Sequence, residues 1–336
     1  MIETITRERL SHLLERAGTV RVAVVGDAML DIYLRGDVER ISPEAPVPVV
    51  RVRERKAALG GAANVAQNVT AIGARCELVC VAGADAAGET LRGMVAALGS
   101  DVRSFLTVGR ATTTKTRVTA RAQQLLRFDE EEDHDLSGED VEALLRAVTV
   151  AVRDADALVL EDYNKGVLGA AVIGHAIREA HSRGIPVVVD PKYRHFFGYQ
   201  GATMFKPNRR ELEAALGATV DLEHEASLPA VLARLGVEQL LLTLGEAGMV
   251  LVSQDGEVGR VPTTAREVYD VVGAGDTVTA YLAATLAAGA SAAEAAVIAN
   301  FAAGVEVGKL GAATVAPGEV VDAYDAFIFR AALPGR

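Results

Sequence analysis

The sequence predicts an α/β fold, a doubly wound, mainly parallel sheet with a small inserted β-sheet lid. Three observations carry this expectation. Short β-branched runs alternate with Ala-rich helical segments, the pattern of strand, crossover helix and parallel strand. The runs are apolar throughout, as strands covered on both faces must be. Two stretches, Asp31 to Arg55 and Phe105 to Asp129, instead alternate polar with apolar residues and show no helical period.

In chain order, Thr6 to Arg16 reads as an amphipathic opening helix and Val20–Val25 as the first strand. The alternation in Val47-Pro48-Val49-Val50-Arg51-Val52-Arg53 then marks the first lid insert, where Pro43, Pro46 and Pro48 suit edge or irregular strand positions. A helix over Ala62–Ile72, a strand over Leu78–Ala82 and a helix over Glu89–Leu98 follow. Thr112-Thr113-Thr114-Lys115-Thr116-Arg117-Val118 marks the second insert. Beyond it come a helix over Glu139–Val152, strands over Ala157–Leu160, Pro186–Val189 and Gln239–Thr243, and a helix over Ala170–Ser182 between the first two of these. The acidic run Glu130-Glu131-Glu132-Asp133 reads as a solvated turn whose charges lack an evident partner.

Half of the 336 residues are apolar, enough to bury a large core. We expect a single domain over residues 1–330, with lid strands inserted at about 31–56 and 105–129. A formal charge of −11 disfavours nucleic acid and anionic membranes as partners, so any bound phosphate must meet a local basic patch. The N-terminus lacks the basic-then-apolar layout of a secretory signal, and apolar runs stop well short of the roughly 20 residues that cross a bilayer. The expectation is a cytoplasmic protein. Cys76 and Cys80 fall on one face of a strand and are expected as buried, reduced thiols.

The strongest chemical signal is Asp270-Val271-Val272-Gly273-Ala274-Gly275-Asp276-Thr277, followed by the helical run Val278 to Ala288. Gly-Ala-Gly at a helix start lets several backbone N–H groups face one point, where the helix dipole also favours negative charge. Asp276 is then either a first-turn helix stabiliser or a base beside an anion hole. In Lys206-Pro207-Asn208-Arg209-Arg210-Glu211, Asn208 and Glu211 stand three apart, as in a capping box or as oxygen ligands that hold Mg²⁺ against phosphates. Leu59-Gly60-Gly61-Ala62-Ala63-Asn64 is either a tight strand-to-helix turn or a close approach by a polyol bonded to Asn64. Asp31, just past the first strand, is placed to accept hydrogen bonds from sugar hydroxyls.

In order and spacing, Gly60-Gly61-Ala62-Ala63-Asn64, Asn208-Arg209-Arg210-Glu211 and Gly273-Ala274-Gly275-Asp276 resemble the ribokinase/PfkB carbohydrate kinases over nearly the whole chain. The resemblance implies a ribokinase-like fold and an ATP-dependent kinase with Asp276 as catalytic base and Gly273, Ala274 and Gly275 as its anion hole. It implies Asn208 and Glu211 near Mg²⁺ and the phosphates, Thr243 and Gly245 along the phosphates, and Asn300 near adenine. Asp31, Gly60, Gly61 and Asn64 would meet the sugar. Asp270 and the Val272 carbonyl match a monovalent-cation position, possible for K⁺, and the lid sheets would form a homodimer.

Arg40-Ile41-Ser42-Pro43-Glu44-Ala45-Pro46-Val47-Pro48-Val49, Gln123-Gln124-Leu125-Leu126-Arg127-Phe128-Asp129, Asp162-Tyr163-Asn164-Lys165-Gly166 and Val307-Gly308-Lys309-Leu310-Gly311 resemble the branch acting on D-glycero-β-D-manno-heptose 7-phosphate. That branch serves ADP-heptose synthesis and lipopolysaccharide, and is fused in many bacteria to an adenylyltransferase. A chain ending at Arg336 is expected as the stand-alone kinase. Glu161 departs from the small residue implied at its position. A phosphate remote from the reacting hydroxyl asks for cations, and Lys115, Arg117, Arg127 and Lys165 are the candidates, each also readable as a surface charge. The alternatives are a kinase of the same fold acting on another sugar or sugar phosphate, and an inactive relative that binds a sugar or nucleotide as a sensor.

Overall fold

A computed structural model describes residues 5–121, 123–221, 227–265 and 268–331. The chain opens with α1 (Arg7–Ala17), β1 (Arg21–Gly26), β2 (Ala28–Ile41), β3 (Pro48–Gly61), α2 (Ala62–Ala71), β4 (Arg75–Gly83), α3 (Ala86–Ala97) and β5 (Phe105–Val108). Next come β6 (Thr114–Ala120), β7 (Gln123–Glu130), α4 (Gly138–Arg153), β8 (Ala157–Glu161), α5 (Ala170–Arg183), β9 (Val187–Asp190), β10 (Met204–Phe205) and α6 (Arg209–Leu216). It closes with α7 (Leu228–Leu235), β11 (Gln239–Thr243), β12 (Met249–Ser253), β13 (Val258–Val261), α8 (Ala274–Ala287), α9 (Ala292–Glu306) and α10 (Pro317–Ala331).

The main sheet has nine strands in the order β13-β12-β11-β10-β9-β8-β1-β4-β5. It is parallel from β11 to β5, and β12 pairs antiparallel on both sides. Helices cover both faces, which is why the strands are apolar throughout. In β1, Val22 and Val24 join one core cluster while Ala23 and Val25 join the other, all without exposed surface. Each such fully buried valine contributes about 1.5–3 kcal/mol relative to an exposed one. The doubly wound fold expected from sequence is therefore borne out. Strand order reverses between β1 and β8, so the crevice beyond their carboxyl ends is where ligands bind in such sheets.

The small sheet has the order β3-β2-β6-β7, with β2 and β6 parallel and both outer pairs antiparallel. It grows directly out of β1, since only Asp27 separates β1 from β2. The second insert starts later than expected. Phe105–Val108 is β5, which pairs parallel with β4 at the edge of the main sheet, so only residues from Thr114 onward join the small one. Alternation marks a strand but does not say which sheet takes it. Pro43 and Pro46 lie between strands and Pro48 begins the edge strand β3, where a missing N–H is tolerated. The helix expected from Glu89 starts earlier, at Ala86, because the Asp85 carboxylate accepts from the Gly88 N–H at 2.7 Å and caps it.

The acidic run is a correction, since each of its charges has a partner. Glu130 accepts from the Thr114 hydroxyl at 3.1 Å, and Glu131 lies 2.8 Å from Lys165 Nζ. Glu132 accepts from the Ala111 N–H at 3.0 Å, and Asp133 lies 3.0 Å from an Arg194 nitrogen. Cys76 and Cys80 are free and buried on one face of β4, where burial pushes the Cys76 thiol up to about 12 and Cys80 higher still. Among the described residues no helix is long and apolar enough to cross a membrane.

Candidate active site

Gly273 has φ 99° and precedes α8, placing Ala274, Gly275 and Asp276 in the helix's first turn with their N–H groups free of intrahelical partners. Asp276 is buried. One of its oxygens accepts from Asn64 Nδ2 at 2.6 Å and the other from the Tyr163 hydroxyl at 3.0 Å. Asn64 is braced in turn, because Asn68 donates to its carbonyl at 3.0 Å and accepts from Thr277 of α8 at 3.0 Å. Burial pushes the Asp276 carboxyl up to about 6, with Asp190 adding to the rise while Asn64, Tyr163 and Lys206 oppose it.

Two cavities meet at this carboxylate. The larger, about 690 Å³, is lined by Asp190, Lys192, Lys206, Asn208, Glu211, Thr243, Gly245, Asn300 and the Gly273–Asp276 turn. The smaller, about 150 Å³, is lined by Asp31, Gly60, Gly61, Asn64, Lys115, Arg117, Val272 and Gly273. Tyr163, Gly273 and Asp276 belong to both. Residues more than 200 positions apart in sequence thus converge on one carboxylate, flanked by a roomy and a narrow compartment.

In the narrow compartment the glycine pair is sterically required. A Cβ on Gly60 would lie 2.6 Å from Asp31 Oδ2, and one on Gly61, whose φ is 57°, would lie 2.3 Å from the Asp27 carbonyl oxygen. Arg117 bonds Asp31 at 2.5 Å. Lys115 Nζ lies 5.3 Å from the Tyr163 ring centre, and burial lowers its proton affinity. Asn64 lines this compartment and gives one amide N–H to Asp276. Arg127 and Lys165 depart from the sequence expectation and line neither cavity. Arg127 stands opposite Arg117 on the edge strand β7 and pairs with Asp129 at 3.0 Å, while Lys165 is held by Glu131.

In the roomy compartment Asn208 and Glu211 form the reciprocal capping box, with Glu211 N–H to Asn208 Oδ1 at 2.9 Å and Asn208 N–H to Glu211 Oε2 at 2.8 Å. The Glu211 carboxylate also receives the Lys192 ammonium, which sits 5.0 Å from the Tyr163 ring centre. Both readings of that motif are therefore compatible with one geometry. Asn300 donates to the Pro262 carbonyl at 2.8 Å, and Thr243 approaches the Pro207 carbonyl at the end of β11. Asp270 accepts from the N–H groups of Val272 and Gly311, both at 3.1 Å, which closes the loop before the turn.

Tyr163, Lys192, Asp190 and Lys206 were not singled out from sequence. Lys206 Nζ lies 2.8 Å from Asp190 Oδ2, and both are buried. A signal was present, since Asp190 is the last residue of a parallel strand and Lys206 follows another, at the sheet edge where ligands collect.

A family model described as pfkB family carbohydrate kinase matches residues 20–318. A protein of Rhodospirillum rubrum named Bifunctional protein HldE is 47% identical over 320 residues, covering 94% of this chain and 64% of the relative. One of the same name from Caulobacter vibrioides is 46% identical over 317 residues, covering 93% and 65%. The chain thus spans slightly less than two thirds of the length of these relatives. Among solved structures, Arabidopsis thaliana ribokinase complexed with ribose and ATP aligns with a TM-score of 0.72 at 22% identity, over 91% of this chain and 98% of that one. Escherichia coli phosphofructokinase-2 in complex with potassium aligns with a TM-score of 0.74 at 19% identity, over 92% and 99%.

Proposed function

The chain belongs to the pfkB family of carbohydrate kinases and is a sugar kinase, and on that premise we propose that it phosphorylates the C1 hydroxyl of D-glycero-D-manno-heptose 7-phosphate with ATP. The product is the 1,7-bisphosphate, an intermediate toward ADP-heptose and lipopolysaccharide, and the enzyme works in the cytoplasm. The observation that carries this reading is the meeting of the two cavities at Asp276, between room for a nucleotide and room for a sugar. As an ionised base, Asp276 takes the proton of the attacking hydroxyl. The N–H groups of Gly273, Ala274 and Gly275, at the positive end of α8, receive the charge that develops on the transferred phosphoryl group. Asn64 and Tyr163 hold the carboxylate in one orientation throughout.

The larger cavity takes ATP, with Thr243 and Gly245 along the phosphates and Asn300 toward the base. Its hard oxygen donors, the Asn208 amide and the Glu211 carboxylate, fit Mg²⁺, which such donors hold directly or through water. Held there, Mg²⁺ would offset the negative charge of the phosphates. A monovalent cation such as K⁺ would sit between Asp270 and the Val272 carbonyl. In the smaller cavity Asp31, Gly60, Gly61 and Asn64 face the sugar, while Lys115 and Arg117 supply its positive charge. The small sheet acts as a lid that excludes water, a competing acceptor. Its exposed Val38, Val52, Leu126 and Phe128 support homodimerisation through the lids.

The test is ATP consumption with the heptose 7-phosphate beside fructose 6-phosphate, fructose 1-phosphate and ribose, with the new phosphate located by ³¹P NMR. Preference for the heptose with phosphate at C1 supports the reading. Activity confined to another sugar removes the heptose and keeps the kinase.

A further inference from the structure

Glu161 ends β8 beneath the site, and nothing in the mechanism uses it. Its side chain has no exposed surface, and among the described residues neither carboxylate oxygen has a hydrogen-bond partner. One carboxylate oxygen each from Glu161, Asp190 and Asp276 lie within 4.8 Å of one another. Three carboxylates with an orphaned member resemble a metal site, but this cluster already contains its cation, since the buried Lys206 ammonium bonds Asp190.

The charge around Glu161 does not balance. Asp190 and Lys192 face it from the end of β9 and the turn beyond, Lys206 from the end of β10, and Asp276 from α8. Lys192 is committed to Glu211 and Lys206 to Asp190. The Tyr163 hydroxyl is committed to Asp276 and the Tyr199 hydroxyl to Asp162. Across from Glu161, beyond β1, Asp27 is occupied by the N–H groups of Tyr163, Lys165 and Val167. Among the described residues no hydrogen bond reaches Glu161, and the cations that face it are already paired with other carboxylates. A buried carboxylate that gains no hydrogen bond and shares its cations with other carboxylates takes up a proton instead.

We propose that Glu161 is a positioning residue for phosphoryl transfer, a neutral acid under the floor of the larger cavity that must hold its proton for the phosphate chain to bind. The proposal rests on that cavity being the nucleotide site. A phosphate chain brings several negative charges against Asp190, Asp276 and Lys206, directly above Glu161. An ionised Glu161 would add a further charge of the same sign, offset only by Lys206 and Lys192, which already serve other carboxylates, so nucleotide binding and the loss of this proton oppose each other. The sign follows: affinity is full while Glu161 is protonated and falls as pH rises through its ionisation.

The experiment is calorimetric titration of the intact protein with ADP and Mg²⁺ from acid through alkaline pH, over the whole range in which it stays folded, comparing wild type with Glu161→Gln and Glu161→Ser, both neutral at every pH. Wild-type Kd should rise by up to about tenfold per pH unit once Glu161 ionises, and both variants should show a flatter profile. The infrared carbonyl band of a protonated carboxylic acid at neutral pH should weaken in both variants, and the pH profile of Kd is the readout that a merely structural role would not move. Superimposable profiles in wild type and in whichever variant folds overturn the proposal while leaving the kinase reading intact. Absence of ADP binding by wild type removes the nucleotide assignment and the proposal together.

Discussion

Replacing Asp276 by Asn separates what this carboxylate does for catalysis from what it costs the fold. Its proton affinity is pushed up to about 6 from 3.8 by burial. Each pKa unit corresponds to about 1.4 kcal/mol, so keeping Asp276 ionised at pH 8 costs about 3 kcal/mol of stability. The sign is that of a raised carboxyl: stability is fully present below the unfolded value and is lost as pH rises through the folded one. Asn removes that cost and keeps the shape. Its oxygen can still accept from Asn64, and its amide can donate to the Tyr163 oxygen. The variant should therefore be more stable than wild type at pH 8 by about 1–3 kcal/mol, with the difference shrinking toward pH 5. Its kcat should fall by about 10²–10⁴, the usual worth of a general base, while ATP binding persists. Thermal unfolding at the two pH values and a coupled ATP assay measure both arms. A variant with kcat within tenfold of wild type refutes the base role, and one destabilised at pH 8 refutes the burial argument.

Three further outcomes follow from the same geometry. With Asp276 as the proposed base, kcat should fall about tenfold per unit below pH 6, and Tyr163→Phe, which deletes a donor to that carboxylate, should move this limb to higher pH in a pH–rate profile. Lys115→Ala should raise KM for a phosphorylated sugar at least tenfold more than for an unphosphorylated one, and equal losses would place the phosphate elsewhere. Gly61→Ala forces a side chain onto a left-handed backbone and into the Asp27 carbonyl, and should cost at least about 2 kcal/mol in denaturant unfolding.

Much of this architecture is legible because parallel strands and glycine-rich helix starts leave local marks. The buried strands are uninterrupted apolar runs, and Gly273-Ala274-Gly275-Asp276 announces its helix start within four residues. What stayed hidden is non-local. Glu161, Asp190 and Asp276 belong to three elements that touch only after the sheet forms, and no spacing relates them. The partners of Glu130 to Asp133 are distant for the same reason, with Thr114, Lys165 and Arg194 reaching them from elsewhere in the chain. The sheet that takes β5 is not readable from sequence, because a four-residue strand carries too little pattern to reveal its neighbour.

The antiparallel pair β2 and β3 begins at Ala28 and ends at Gly61, two residues that face each other in register, so the excursion leaves the main body and re-enters it at one spot. A segment attached in this way behaves as a cassette. Its far end can lengthen, shorten or change composition without shifting β1 or α2, and the Gly273–Asp276 turn sits on a different element altogether. Asp31, Gly60 and Gly61 of the narrow cavity thus travel on one excursion of the chain, while the Gly273–Asp276 turn travels on another.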